Sequence, residues 1–213
     1  MKAFVITIEN HEQSQQAASR CVKSGAKHGV TIETFTGFTP EDNPVQLAEQ
    51  KGIPTAKFEE KYSRFDRCLA AFLSHHALWE KAIDLNETIL ILEHDAVFVN
   101  SIPTIIKHPI VSLGKPSYGR YNTPRTLGEG PLVSKQYLPG AHAYVVTPAG
   151  ALDLVNKAKE CAGPTDIFIN LDNFPYVQEV YPWPVEARDN FTTIQNKNGC
   201  IAKHNYGDTY EIL

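Results

Sequence analysis

The sequence lacks basic clusters, paired cysteines and long apolar runs, and each absence excludes a class of protein. No run of Lys or Arg exceeds two residues and the formal net charge is −4, so we expect no nucleic-acid partner, because phosphate neutralisation needs several clustered cations. The four cysteines are far apart and form no CxxC pair, which excludes zinc-finger and dithiol redox motifs. No stretch approaches the roughly 20 apolar residues of a membrane helix, so the sequence predicts no transmembrane segment.

An export signal is not evident at the start of the sequence either. The apolar run that ends at Ile8 gives way to Glu9 and Asn10, and no small-residue cleavage site follows it. Separate cysteines without pairing motifs are typical of reduced thiols. The sequence therefore predicts a cytoplasmic protein.

The composition is that of a folded globular protein. Hydrophobic residues make up 42% and charged residues 21% of the 213 residues, near the averages for soluble domains. A chain of this length can bury about 70% of the surface that it exposes when unfolded, so neither disulfides nor a structural metal is required. Because no linker interrupts the sequence, we predict one domain over residues 1–213, with a long loop at 114–140 and an irregular tail at 187–213.

The order of the apolar patterns indicates an α/β fold. The first eight residues form a nearly unbroken apolar run, typical of a strand that is covered on both faces of a parallel sheet. A polar helix at 14–27 and an alternating strand at 31–35 follow. Asn43 and Pro44 then fit the cap and the first position of a short helix. Strand, helix and strand in this order predict an α/β protein with a mainly parallel central sheet.

The clearest helix is predicted at 65–85, and an apolar strand at 88–92 follows it. Spacing the helix residues at 100° places six of them in one narrow stripe: Phe65, Leu69, Phe72, His76, Trp79 and Ile83. His76 lies in the middle of this stripe and is predicted to be a core histidine, whereas His75 lies on its flank. Ligands bind at the carboxyl ends of strands in open α/β sheets, so the residues after position 92 are candidates for a site.

A carboxylate pair follows that strand. Glu93 and Asp95 are two residues apart, and side chains at this spacing project to the same side of a strand. Two ionised carboxylates there need a cation or hydrogen-bond donors, and Mg²⁺ or Mn²⁺ bridging to substrate phosphates is one such partner. The alternative is a solvated strand end whose acids cap a neighbouring helix.

The 114–140 segment is rich in glycine and proline, and a long loop of this kind is usually functional or disordered. It carries polar and aromatic groups suited to holding a ligand: Tyr118, Arg120, Tyr121, Arg125, Lys135 and Tyr137. Arg120 and Arg125 fit a clamp on phosphate or on an acidic acceptor, although loop cations are commonly only solvated. A strand at 142–146 follows, and then a helix that Thr147 caps and Pro148 begins.

Four segments, in this order, resemble glycosyltransferase family 25. Residues 68–82 match its Ser-His helix with a downstream Leu-Trp, and 89–96 match its apolar strand ending in Glu-Asp-Asp. Residues 139–151 resemble its Gly-x-x-Tyr strand and the small-residue helix after it, and 164–168 resemble its Pro-x-Asp segment. The resemblance extends over most of residues 1–186. The family includes lipopolysaccharide-type galactosyl- and glucosyltransferases.

The resemblance implies a GT-A fold, in which a Rossmann-like sheet binds a nucleotide-sugar and a divalent ion, Mn²⁺ or Mg²⁺, binds the diphosphate. Asp95 would be the metal ligand, and His204 would return to the ion unless it is a surface histidine. His94 stands where the family motif has its middle Asp. If that Asp is a metal ligand, either His94 substitutes for it as a nitrogen ligand or the ion is bound more weakly. Glu93 and His75, which match the family motifs, would contact the donor. The further donor-binding candidates are Thr7, Ile8, Asn10, Ser74 and Arg120.

The implied reaction is metal-dependent transfer of a hexose from a nucleotide-sugar, with UDP-hexose favoured, to a glycan or lipid-linked acceptor. Inversion needs a carboxylate that takes the acceptor proton, and we assign Asp166, whose alternative role is to cap the segment after Pro164. A catalytically inactive nucleotide-sugar-binding protein, favoured by the His94 change, is a second hypothesis. A metal-dependent phosphohydrolase that uses Glu93, Asp95 and His204 is a third.

Overall fold

A seven-stranded mixed sheet forms the centre of the protein. The structure, a computed structural model, describes residues 1–59, 64–138, 140–188 and 193–194. The elements in chain order are β1 (Lys2–Thr7), α1 (Glu12–Lys27), β2 (Ile32–Thr36), α2 (Pro44–Gln50), α3 (Phe65–Leu85), β3 (Ile89–Glu93), β4 (Ala96–Phe98), β5 (Ile110–Ser112), β6 (Gly128–Pro131), β7 (Ala143–Val146), α4 (Pro148–Cys161), α5 (Thr165–Phe168), β8 (Gln178–Tyr181) and β9 (Val185–Ala187).

The order of strands in the large sheet is β2-β1-β3-β7-β5-β8-β6, and β4 and β9 form a separate antiparallel pair. Since β7 is antiparallel to β3 and β5, and β6 is antiparallel to β8, five of the seven strands point the same way. The predicted α/β class with a mainly parallel sheet is therefore confirmed. The two reversed strands make the sheet mixed.

Strand β3 lies inside the sheet, between β1 and β7. Ile89 and Ile91 pack into the core on the side of α3 and α4, whereas Leu90 and Leu92 pack on the side of α1. Both faces are covered, and this explains why the strand is apolar at every position rather than alternating. Because β1 and β3 are parallel neighbours, their carboxyl ends lie at the same edge of the sheet.

Helix α3 extends over the predicted residues, from Phe65 to Leu85, and ends where Asn86 adopts a left-handed conformation with φ 50°. The stripe buries Phe72 and Trp79 completely. The ring of Phe72 packs edge-on against Trp79 at 5.5 Å and against Phe168 of α5 at 5.4 Å. His76, 1% exposed, is a core residue as predicted.

The region predicted to be a long loop contains a strand. Strand β6 lies within 114–140 and pairs with β8. The sequence Gly-Glu-Gly-Pro of β6 has no residue of high strand propensity, so its pattern gave no signal. It forms the outer strand of the sheet, where a proline is tolerated because one side needs no donor. No helix within the described ranges is long and apolar enough to cross a membrane.

Candidate active site

Glu93, the last residue of β3, is the centre of the candidate site. Its Oε1 lies 3.2 Å from Nε2 of His75 on α3. The Glu93 side chain is 33% exposed and that of His75 is 2% exposed, so the histidine contacts the carboxylate from inside the protein. The carboxylate itself keeps about a third of its side-chain surface accessible.

A buried chain of hydrogen bonds fixes His75. The indole Nε1 of Trp79 donates to the hydroxyl of Tyr144 at 2.8 Å, and that hydroxyl lies 2.9 Å from Nδ1 of His75. An indole N–H can only donate, so a phenol that donates onward to Nδ1 leaves the Nε2–H of His75 to donate to Glu93. This arrangement satisfies every group, and α3 and β7 thereby orient the carboxylate together.

The charges around Glu93 favour its ionised form. Burial acts to raise the pKa of Glu93, but the hydrogen bond from His75 and the electrostatic interactions with the His75, His142 and His94 rings lower it overall. Burial lowers the pKa of His94 to about 4 and also lowers the pKa of His142. Both rings are therefore neutral near pH 7.

Asp95 does not share the strand geometry of Glu93. Strand β3 ends at Glu93, and His94 and Asp95 form the turn into β4. The main-chain oxygen of Asp95 accepts from the N–H of Arg188 at 2.9 Å, and its charge, after burial, helps to raise the pKa of Cys21 on α1 to about 12. The strand-alternation argument therefore does not apply to Asp95, because β3 ends before it.

Ser14 joins the end of β1 to the Glu-His-Asp turn. Its hydroxyl lies 3.3 Å from that of Thr7 and 3.1 Å from Nδ1 of His94, and it accepts from the N–H of Ile8 at 3.0 Å. Thr7 and Ile8 thus lie at the site, and Asn10 is exposed two residues beyond. The sequence offered one signal for Ser14, a hydroxyl in the first turn of the helix that follows the first strand.

Ser74 and His75 are both buried. The Ser74 hydroxyl donates to the main-chain oxygen of Ala70 at 2.9 Å and accepts from the N–H of Phe38 at 2.8 Å, and it thereby holds the segment after β2 against α3. His75 uses its two ring nitrogens for Tyr144 and Glu93. Direct donor contact by these two residues stays a prediction, and their observed contacts are within the protein.

Asp166 lies on the short helix α5, close enough to Glu93 for their charges to interact. Its Oδ2 accepts a hydrogen bond of 2.7 Å from the hydroxyl of Tyr118. Burial is the main reason that the pKa of Asp166 is raised; the charge of Glu93 adds to the effect and the Tyr118 hydrogen bond opposes it. A carboxyl with a raised pKa and a tyrosine partner is suited to proton transfer.

His142 is a site residue to which the sequence assigned no role. It is 2% exposed; burial lowers its pKa, and the charge of Glu93 acts in the opposite direction. A Cβ on Gly114 would lie 2.4 Å from its Nε2, and a Cβ on Gly140 would lie 2.5 Å from its Nδ1. Any side chain at either glycine would collide with the ring. The two glycines, read from the sequence as loop residues, therefore make room for the histidine.

The described residues contain no group of three His, Cys, Asp or Glu side chains that could hold a metal ion. His204 lies outside the described residues. Arg120 is exposed on the wall of a cavity that Lys135 also lines. The predicted metal ligation by Asp95 and His204 thus stays a prediction.

Comparison with known families gives the class of the protein, which is a glycosyltransferase. The chain belongs to glycosyltransferase family 25 (LPS biosynthesis protein), whose model matches residues 1–122. That range includes α3, β3 and the Glu-His-Asp turn, and it ends before α5. The assignment of Asp166 therefore depends on its geometry and not on this match.

Solved structures with related folds are distant. A197 from STIV is 10% identical, with a TM-score of 0.44 over 84% of this chain and 82% of that chain. CTP:phosphocholine cytidylyltransferase from Streptococcus pneumoniae is 10% identical, with a TM-score of 0.39 over 86% and 91%. Mouse xyloside xylosyltransferase 1 is 11% identical, with a TM-score of 0.38 over 82% of each chain. No curated protein matches the sequence. The class of the protein is therefore known from the family match.

Proposed function

We propose that the protein transfers a hexose from a nucleotide-sugar, UDP-hexose first among the candidates, to a hydroxyl of a glycan or lipid-linked acceptor. The transfer inverts the anomeric carbon. The observation that supports this most is the pair of carboxylates: Glu93 at the carboxyl end of β3, and Asp166 on α5, near enough for Glu93 to act on its pKa. His75 and Tyr118 orient them. The predicted cytoplasmic location stays a prediction.

The donor would bind at the ends of β1 and β3, as in a GT-A fold. Ligands of open α/β sheets occupy this edge, and the hydroxyls of Thr7 and Ser14 are already tied there to His94. Glu93, an ionised and partly accessible carboxylate, would accept from donor hydroxyl or base N–H groups. Thr7, Ile8 and Asn10 would contact the nucleotide along the end of β1.

A divalent ion would neutralise the donor diphosphate as a Lewis acid. Asp95 would hold it, as the family motif implies, and His204 is the further candidate. Because the described residues supply no three-ligand group, the ion would take most of its ligands from the diphosphate and from water, as Mg²⁺ often does.

Asp166 would act as the base. The acceptor O–H gives its proton to the Asp166 carboxylate as the acceptor oxygen bonds to the anomeric carbon and the bond from that carbon to the diphosphate breaks, through an oxocarbenium-like transition state. The raised pKa of Asp166 brings this carboxyl closer to the working pH and makes it a stronger base than an exposed Asp. Tyr118 holds the carboxylate in one orientation.

Thermal unfolding of the whole protein with a panel of nucleotide-sugars, each with and without Mn²⁺, tests donor and metal together. We expect UDP-hexose to stabilise the protein, by about 2.7 kcal/mol at one hundred times its dissociation constant. Mn²⁺ should add to the effect of UDP but have little effect alone. Asp95→Asn should remove the Mn²⁺ increment, whereas Asp153→Asn, on exposed α4, should keep it. Stabilisation by no nucleotide-sugar would contradict the proposal.

The acid limb of the pH–activity profile should move when Tyr118 is changed. The Tyr118 hydrogen bond lowers the pKa of Asp166 against the effect of burial, so Tyr118→Phe raises that pKa further. Because the base must be ionised, the fall in kcat/KM on acidification then begins at a higher pH. Tyr176→Phe, which removes a similar hydrogen bond to Asp153, should leave the profile unchanged. A limb that stays in place in Tyr118→Phe would mean that Asp166 is not the titrating base.

A further inference from the structure

A cavity of about 610 Å³ lies beside the Tyr118–Asp166 pair and takes no part in the donor site described above. Two chain segments of the 114–140 region, which run past each other, form its walls. The residues that line it are Gly119, Arg120, Tyr121, Asn122, Ser134, Lys135, Gln136 and Tyr137. Its volume is within the range of small-molecule sites.

The walls of this cavity are fixed by hydrogen bonds. Asn122 donates from its main-chain N–H to the oxygen of Ser134 at 3.1 Å and from Nδ2 to the oxygen of Val133 at 3.1 Å. Behind them, Glu179 is 1% exposed and its Oε1 accepts from the N–H groups of Val133 and Ser134 at 2.7 and 2.8 Å. Its Oε2 accepts from Nε1 of Trp183. The cavity is thus largely formed before a ligand arrives.

The chemistry of the walls suits an anion attached to a sugar. Of the described residues that line the cavity, two are cations and none is a carboxylate. Lys135 Nζ donates to the oxygen of Tyr118 at 2.8 Å and lies 4.6 and 5.3 Å from the ring centres of Tyr118 and Tyr137. An ammonium carries three donors, so Lys135 is held in place with donor capacity left. The Asn122 and Gln136 amides can bond hydroxyls, and Tyr121 adds an aromatic surface.

One wall of the cavity is hydrogen-bonded to the segment that follows α5, the helix that carries the proposed base Asp166. Residues 136–138 pair with the residues after α5: Leu171 donates its N–H to the oxygen of Gln136 at 2.9 Å, and Leu138 donates to the oxygen of Ile169 at 2.7 Å. The other wall begins at Tyr118, whose hydroxyl donates to Asp166. Both walls of the cavity are therefore connected to the proposed base, one through the segment that follows α5 and the other through Tyr118.

We infer that this cavity binds the acceptor and selects an anionic saccharide, whose carboxylate or phosphate pairs with Arg120 and Lys135 while its ring packs against the tyrosines. This inference rests on the proposed transfer reaction and narrows its acceptor class. It also assigns Arg120, predicted from the sequence as a donor-binding residue, to the acceptor site. Pairing an anion with cations in a partly enclosed site is stronger than in water.

Isothermal titration of the full chain with matched neutral and acidic sugars tests the inference. The pairs are lactose against 3′-sialyllactose, for a carboxylate, and glucose against glucose 6-phosphate, for a phosphate. We expect at least one acidic member to bind about tenfold or more tightly than its neutral partner, a difference of about 1.4 kcal/mol. Arg120→Gln and Lys135→Gln should each remove most of that preference. Lys157→Gln, the same charge change on α4 and outside the cavity, should keep it.

The outcomes separate this inference from the proposed function. Equal binding of acidic and neutral sugars, or a preference that survives both cavity substitutions, overturns the inference. UDP titration is the second arm: Arg120→Gln should leave UDP affinity unchanged, and an equal loss for UDP would assign the cavity to the donor instead. If no nucleotide-sugar binds or is turned over while the acidic preference holds, the proposed transfer fails and the anion site stands. Unchanged far-UV circular dichroism confirms that each variant is folded.

Discussion

Asp166→Asn is expected to lower kcat for sugar transfer by about 10²–10⁴-fold, the contribution of a general base, and to leave donor binding intact. The amide keeps the size of the carboxyl and an oxygen that can accept from Tyr118, so the fold around α5 should persist. Only the capacity to take the acceptor proton is lost. Initial rates at saturating donor, with UDP affinity from titration, separate the two effects.

The control for this substitution is Asp153→Asn. Asp153 also accepts from a tyrosine, Tyr176, but on the exposed face of α4 and outside the residues assigned to the site. It should alter kcat by less than about twofold. If Asp166→Asn is as active as this control, Asp166 is not the base, and its bond to Tyr118 serves only to hold α5.

Tyr144→Phe should be the most destabilising conservative change near the site. Removing the hydroxyl leaves Nε1 of Trp79 and Nδ1 of His75 without their partner in the buried core. Each buried polar group left unsatisfied costs about 1–3 kcal/mol, so we expect the free energy of unfolding to fall by about 3 kcal/mol. For a chain of this size that corresponds to a drop in Tm of roughly 6–12 °C.

Activity should fall in the same variant, because His75 loses the bond that orients it toward Glu93. A KM increase for the donor, larger than the change in kcat, is the expected signature of a misplaced Glu93 in the ground-state complex. Tyr176→Phe, on the surface, should change the free energy of unfolding by less than about 0.5 kcal/mol. Comparable melting curves for the two variants would show that the Trp79–Tyr144–His75 chain contributes little.

Sequence patterns predicted the elements that have long or uniform apolar signals. Helix α3 was placed to the residue because six stripe residues recur over six turns, and β3 because its apolar run has no other explanation than burial on both faces. Strand β6 was not predicted, because Gly-Glu-Gly-Pro has no residue of high strand propensity. What places it is the hydrogen bonding of β8, some fifty residues away along the chain.

The site divides in the same way. Glu93 and Asp166 were predicted, from a strand end and from a family segment, because each is marked by its local sequence. The residues that orient them were not. The hydrogen bond from Tyr118 to Asp166 joins residues 48 positions apart, and the one from Trp79 to Tyr144, which supports His75 beside Glu93, joins residues 65 positions apart. Asp95 shows the limit of a local rule, because strand alternation was applied to a residue that lies in the turn after β3.

The packing of His142 between Gly114 and Gly140 has a consequence for how the enzyme could diversify. Gly114 and Gly140 both lie against one imidazole, and the cavity proposed for the acceptor is lined by residues between them in the chain. Doubling the length of a closed loop costs only about 0.6 kcal/mol. Insertions in the loops on either side of β6 are therefore expected to reshape the proposed acceptor cavity in related enzymes at little thermodynamic cost, provided that the two glycines persist.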